Sequence, residues 1–167
     1  MLISRAGAEV LDRLEPLWLE LHRHHQAVGG PALEPYVDDA HSWAARRGMY
    51  AGFLAAPHGS FVLLAERGGA LLGYAMVAIS PVEDTWVDDT WRTGPLIAEI
   101  ETLSVVASAR RQGIGSALLD RVDAELARAD VADAVVGAFA ANTGALALYE
   151  RRGFRPTWNY LSRFAGR

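Results

Sequence analysis

Leu11, Leu14, Trp18 and Leu21 recur at intervals of three and four, a spacing that predicts an amphipathic helix ending near Gly29-Gly30-Pro31. Leu2 to Arg5 ahead of it reads as a short strand. A second helix is expected from about Tyr36 to Leu54, with Pro35 and Asp38 near its start and the Pro57-His58-Gly59 turn behind it. Phe61 to Glu66 and Leu71 to Ile79 are strand-like runs separated by Arg67-Gly68-Gly69-Ala70, which predicts an antiparallel hairpin. An acidic, tryptophan-containing connection from Glu83 to Pro95 follows, and Ile97 to Val106 returns as a fourth strand. Leu118, Leu119, Val122 and Leu126 then share one helical face, closed by Asp130 to Asp133. Ala134 to Ala140 predicts a short buried strand, parallel to the fourth because a helix lies between them. Ala145 to Arg152 reads as a short helix stopped by Gly153, and Phe154 to Phe164 as a final strand or hairpin. The sum is a mixed α/β fold with an antiparallel front half and one βαβ crossover.

Composition narrows this picture. With 167 residues and 51% hydrophobic content, the chain suits one domain with a sizeable core. The net charge of −4, with arginines scattered among acids, leaves no basic stripe, so nucleic acid is not expected as a partner. The absence of cysteine removes disulfides, thiolate metal sites and acyl-cysteine chemistry. No basic segment leads into an apolar signal core, and no apolar run reaches the roughly 18 to 20 residues that span a bilayer. A soluble cytoplasmic protein with no membrane partner is therefore the expectation.

The most informative stretch is Arg110-Arg111-Gln112-Gly113-Ile114-Gly115-Ser116, between a β-patterned run and an Ala/Leu-rich helical run. Glycines at 113 and 115 let the backbone turn tightly so that N–H groups converge at a helix start, where the dipole favours an anion. The chain contains no lysine, which excludes a P-loop, and Leu118 stands where a dinucleotide fingerprint needs its third glycine.

What remains, Arg-x-x-Gly-x-Gly after a strand, resembles the GCN5-related N-acetyltransferase superfamily. The resemblance runs from Ile97 through Phe154 and includes Asn142 and the segment Leu148-Tyr149-Glu150-Arg151-Arg152-Gly153-Phe154. It implies an acyl-CoA N-acyltransferase fold, a mostly antiparallel mixed sheet splayed between its fourth and fifth strands and flanked by helices. It also implies a single domain, with 1–96 as the acceptor-side half, 97–154 as the cofactor core and 155–167 as a C-terminal strand. Acetyl coenzyme A would be the cosubstrate, with no metal. Its pyrophosphate would lie on Arg110, Arg111, Gln112, Gly113, Ile114, Gly115 and Ser116, mostly on backbone N–H groups. Its pantetheine arm would pair with Leu103, Ser104 and Val105, and Asn142 would hydrogen-bond the same arm. Read locally, 103–105 could equally be continuous sheet, and Asn142 could be a helix N-cap.

Thioester aminolysis needs a neutral amine, a stabilised oxyanion and a proton for the departing thiolate. With neither cysteine nor a Gly-x-Ser-x-Gly elbow, direct transfer in a ternary complex is the expected route. The resemblance assigns Tyr149 as general acid, a phenol that holds its proton at neutral pH; the plainer reading is a core aromatic. Glu99 and Glu101 alternate along a strand, so both should point to one face. By position Glu99 resembles the base of some histone-type members, with Glu101 as second choice and water as a third.

The acceptor, a primary amine on a small molecule or peptide, is less defined. His22, His24 and His25 cluster late in the first helix, and His25 is a candidate for acceptor binding. No cysteine or matching carboxylate supports a metal there. Asp84 and Trp86, with Asp88, Asp89 and Trp91, combine carboxylates with indole faces that could attract a cation such as a polyamine. Trp158, Tyr160 and Phe164 alternate, giving an apolar face that a second copy of the chain could cover in a homodimer. The alternative to an enzyme is a non-catalytic acyl-CoA sensor or interaction module.

Overall fold

The structure is a computed structural model that describes residues 1–164. Five strands, β1 (Leu2–Ala6), β2 (Phe61–Arg67), β3 (Ala70–Pro81), β4 (Leu96–Val105) and β5 (Asp133–Val136), form one sheet in the order β1-β2-β3-β4-β5. Every pairing is antiparallel except the last, where β4 and β5 run parallel. Helices α1 (Leu11–Gly29) and α2 (Asp39–Ala55) cover one face, while α3 (Ile114–Arg128) and α4 (Thr143–Arg151) belong to the other.

Phe61-Val62-Leu63-Leu64-Ala65 in β2 is buried at every position, because both faces of the sheet are covered. Phe61, Leu63 and Ala65 meet the α3 cluster, and Val62 and Leu64 the cluster of α1 and α2. α1 presents Leu11, Leu14, Leu17 and Trp18 to its core, which is the periodicity the sequence carries. α2 starts later than its pattern suggests, at Asp39, because the Asp38 side chain caps it by accepting from the His41 N–H at 2.7 Å.

A register shift opposite Met76 and Val77 sets the two ends of β4 out of phase. Thr102 pairs with Met76 and Ile100 with Val77, so Glu101 is an extra residue, a β-bulge. Ala98 and Ile100 face the α3 core, and beyond the bulge Leu103 and Val105 take over that face. Thr102 and Ser104 turn toward α1 and α2: Ser104 donates to the Leu17 carbonyl at 3.3 Å, and Thr102 shares a buried hydroxyl contact with Tyr50.

The β4–β5 ladder runs only from Ile97↔Asp133 to Ile100↔Val136. β4 continues for five more residues while β5 ends, so the strands part there. β5 is shorter than expected because residues 137–140 leave the sheet, and Phe139 stacks instead on His25 in α1 at 4.8 Å. The expected C-terminal strand is not seen among the described residues: 155–164 join no strand or helix, and 165–167 lie outside the described residues. Trp158 packs on Trp86 and Trp91 rather than on a strand neighbour.

One ionic cluster ties the first strand to α3. The Glu125 carboxylate is buried and accepts from Arg5, Arg121 and Arg128 at 2.9, 2.7 and 2.8 Å. Burial pushes its carboxyl up, and the bonds from Arg5 and Arg121 outweigh this and hold it below the ordinary range. The stabilisation is present above the usual glutamate pKa and is lost as pH falls through the lowered value. Glu125→Ala should therefore cost about 2 kcal/mol at pH 7 and much less near pH 3, measured by urea denaturation at both values.

Candidate active site

The loop between β4 and α3 is built to present N–H groups. Arg111 and Gly113 both have left-handed backbone, at φ of 59° and 80°. None of the N–H groups of residues 111 to 116 is given to an acceptor among the described residues. A Cβ at Gly113 would meet no protein atom within 4 Å, so the space above the loop is open. Six uncommitted donors at a helix start fit a diphosphate. A Cβ at Gly115 would make ordinary van der Waals contact with Leu148 at 3.5 Å and Leu103 at 3.9 Å, so the packing there accommodates a small side chain.

The side chains of the loop are otherwise engaged. Arg110 donates to the Val105 carbonyl at 3.0 Å and to Glu20 at 3.2 Å. The same Glu20 oxygen accepts the Ala107 N–H at 2.6 Å. Gln112 donates to the Ser108 carbonyl at 3.2 Å and accepts from Arg67 at 3.2 Å. Arg110 and Gln112 thus brace the loop, while its backbone N–H groups stay uncommitted among the described residues.

Beside the loop, the last residues of β4, Leu103, Ser104 and Val105, lie past the end of the β5 ladder. Alternate residues of an antiparallel strand turn their N–H and C=O away from the partner, and here no strand receives them on that side. Asn142 takes the local role foreseen for it: its side-chain oxygen caps α4 by accepting the Ala145 N–H at 3.2 Å. Arg152 anchors the other end of α4 on α3, donating to the Ser116 carbonyl and Asp120 at 2.6 and 2.5 Å.

Tyr149, on α4, is buried with its ring edge-on to Phe154 at 5.9 Å. Burial pushes its phenol up to about 12, so the hydroxyl keeps its proton throughout the physiological range. Tyr149 packs in the α3-side core and does not line the carboxylate cavity.

That cavity, of about 260 Å³, opens on the opposite face of the sheet. Glu99, Glu101, Asp84 and Trp86 line it together, with Phe53, Val87, Ile97 and Val135 among the apolar walls. Both strand glutamates point into it even though the bulge intervenes. Glu101 is held from outside the strand: Arg46 Nη1 lies 3.4 Å from its Oε2, and the guanidinium sits over the Trp18 ring at 4.2 Å. Burial and the neighbouring Glu99 charge nonetheless push Glu101 up to about 7, against the pull of Arg46. Burial raises Glu99 as well.

His25 lies outside the cavity, stacked on Phe139 and edge-on to Trp18 at 6.5 Å. Burial, with the charges of His24, Arg46 and His22, lowers it to about 4, so the ring is neutral at pH 7. Among the described residues no three His, Cys, Asp or Glu are grouped as a metal site. No described helix is long and apolar enough to cross a membrane.

Arg46, which contacts Glu101, is a residue the sequence reading omitted. Its neighbour Arg47 pairs with Asp12 at the surface, and nothing in composition separates the two. Helical phase does: Arg46 is three residues after buried Trp43 and four before buried Tyr50, on the same inward face.

The parted strands and the donor loop define an acyl-CoA N-acyltransferase fold. The chain belongs to the acetyltransferase (GNAT) family, whose sequence profile matches residues 18–154. Among solved structures, a GCN5-related N-acetyltransferase from Ralstonia eutropha is 24% identical over 99% of both chains, with a TM-score of 0.73. A ribosomal-protein-alanine N-acetyltransferase from Brucella melitensis is 21% identical, covering 98% of this chain and 100% of that one, at 0.63. A predicted acetyltransferase from Clostridium acetobutylicum, solved with acetyl-CoA, is 18% identical over 98% and 95%, at 0.65. No protein of curated function matches the chain. Membership implies acetyl transfer, with acetyl coenzyme A as cosubstrate.

Proposed function

We propose that the protein transfers an acetyl group directly from acetyl coenzyme A to a primary amine of a small molecule or peptide. The observation that carries this reading is the cavity where Glu99, Glu101 and Asp84 converge, an acidic pocket for a cationic acceptor beside the parted strands. Bound acetyl coenzyme A supplies the thioester carbonyl and a thiolate leaving group. The backbone of 103–105 aligns its arm and the N–H groups of 111–116 hold its diphosphate. Glu101 takes the proton from the acceptor ammonium, directly or through water, and Tyr149 gives a proton to the thiolate. Glu101 is favoured over Glu99 because Arg46 fixes its position and it titrates near the operating pH.

The pH dependence tests this assignment. A base pushed up to about 7 is charged only above that value, so kcat/KM rises with pH through about 7. Glu101→Gln should flatten that limb and lower kcat about 10- to 100-fold. The same substitution should stabilise the fold above pH 7. A carboxyl whose folded pKa is raised favours folding below its unfolded value, and that contribution is lost as pH climbs through the folded one. Thermal melts at pH 8 should register a gain on the order of 1–2 kcal/mol. An unchanged pH profile would remove Glu101 as base. Coenzyme binding with no turnover on any of a broad panel of amines would leave a non-catalytic acyl-CoA module instead.

A further inference from the structure

Trp86, Trp91 and Trp158 come from two distant parts of the chain and meet at one place. Their ring centroids are 5.6, 6.2 and 6.2 Å apart, and each pair of planes stands at 80°. Each pair meets edge-on, so the three rings form one mutually near-perpendicular cluster. A point about 4 Å from all three centroids then exists, within the roughly 6 Å reach of a cation–π contact. The three residues are 41%, 40% and 55% exposed, so the cluster is reachable from solvent.

The surroundings carry the matching charge. Trp86 and Asp84 also line the cavity that holds Glu99 and Glu101, while Trp91, Asp88 and Asp89 line an adjacent open hollow. Arg92 is the one cationic side chain lining that hollow. Among the described residues the only guanidinium groups stacked over rings are Arg5 and Arg46, and neither lies over a ring of the tryptophan corner. Trp86 is the one ring shared by the carboxylate cavity and the tryptophan corner. An amine with its reacting end beside Glu101 can thus place a second positive charge over Trp86.

We infer that the three-tryptophan corner binds the distal ammonium of a dicationic or polycationic acceptor, which makes the substrate class aliphatic diamines and polyamines. This inference rests on the acetyl-transfer reading for the reacting end of the acceptor, but the corner itself binds its cation without any donor. Trp158 is the selective handle, since it lies in the C-terminal segment and lines neither space.

Two readouts separate the corner from the chemistry. Indole fluorescence of the full chain, without acetyl coenzyme A, is titrated with 1,5-diaminopentane, spermidine and n-pentylamine. Saturable quenching by the two polycations at concentrations about tenfold below that for n-pentylamine is expected. Trp158→Ala and the bulk-preserving Trp158→Leu should both remove that preference, with unchanged melting curves showing an intact fold. The second readout is the ratio of kcat/KM for 1,5-diaminopentane to that for n-pentylamine, which should fall about tenfold in either variant. Equal quenching by mono- and diamines, or a preference that survives both variants, would overturn the inference. Selective quenching with no acetylation of any amine would sustain the corner and refute the transfer reading instead.

Discussion

A glutamate at position 113 is expected to abolish acetyl coenzyme A binding and leave the fold standing. Gly113 has φ of 80°, and a Cβ there meets no protein atom within 4 Å, so the protein resists the side chain only through the backbone penalty. That penalty, about 1–2 kcal/mol, falls equally on Gly113→Ala. The carboxylate of Gly113→Glu would additionally stand in the open space above the N–H groups of residues 111 to 116, where a diphosphate would carry its own negative charge. Isothermal titration should give a Kd at least about 100-fold higher for Gly113→Glu, equivalent to about 2.7 kcal/mol. Gly113→Ala should lose about tenfold or less. Equal losses in the two variants would mean that backbone strain alone explains the effect. Undiminished binding to Gly113→Glu would place the diphosphate elsewhere.

Tyr149→Phe should act on turnover rather than on affinity. The phenol is buried and titrates at about 12, so at pH 7 it is a proton donor and never a base. Removing one hydroxyl from a side chain otherwise packed among apolar neighbours changes little of the core, and the ring contact with Phe154 survives. Loss of a positioned general acid is expected to reduce kcat about 10²- to 10³-fold, with the Kd for acetyl coenzyme A changing less than about threefold. A thioester with a more acidic thiol leaving group should recover part of the rate in the variant, because such a thiolate needs the proton less. Parallel losses in kcat and coenzyme affinity would assign Tyr149 to binding.

Much of this was legible in the sequence, for physical reasons that differ from element to element. α1 and α3 declare themselves because each buries a single stripe, and the Gly113 turn declares itself because few other residues adopt that backbone. Features that depend on distant partners were not legible. The bulge at Glu101 exists because β4 must offer apolar side chains to α3 on both sides of it, and strict alternation cannot show such a change of phase. Phe139 carries an apolar signal suited to a strand, yet it leaves the sheet for His25. Trp158, Tyr160 and Phe164 alternate as a strand would, but no neighbour pairs with them among the described residues. The contact of Arg110 with Glu20, ninety residues earlier, is likewise invisible in the local pattern.

The gap between β4 and β5 gives the sheet a third edge besides its two outer ones. Outer edges invite pairing by foreign chains and so promote aggregation. This edge is different, because β4 and β5 are hydrogen-bonded through Ile100 and Val136 and diverge only past that point. Any chain that enters must taper into a closed vertex. A thread without side chains meets less steric resistance in such a wedge than a polypeptide strand that carries a side chain on nearly every residue. β4 past Ile100 thus has no strand neighbour on that side, and the narrowing vertex leaves less room for a foreign strand than an outer edge does.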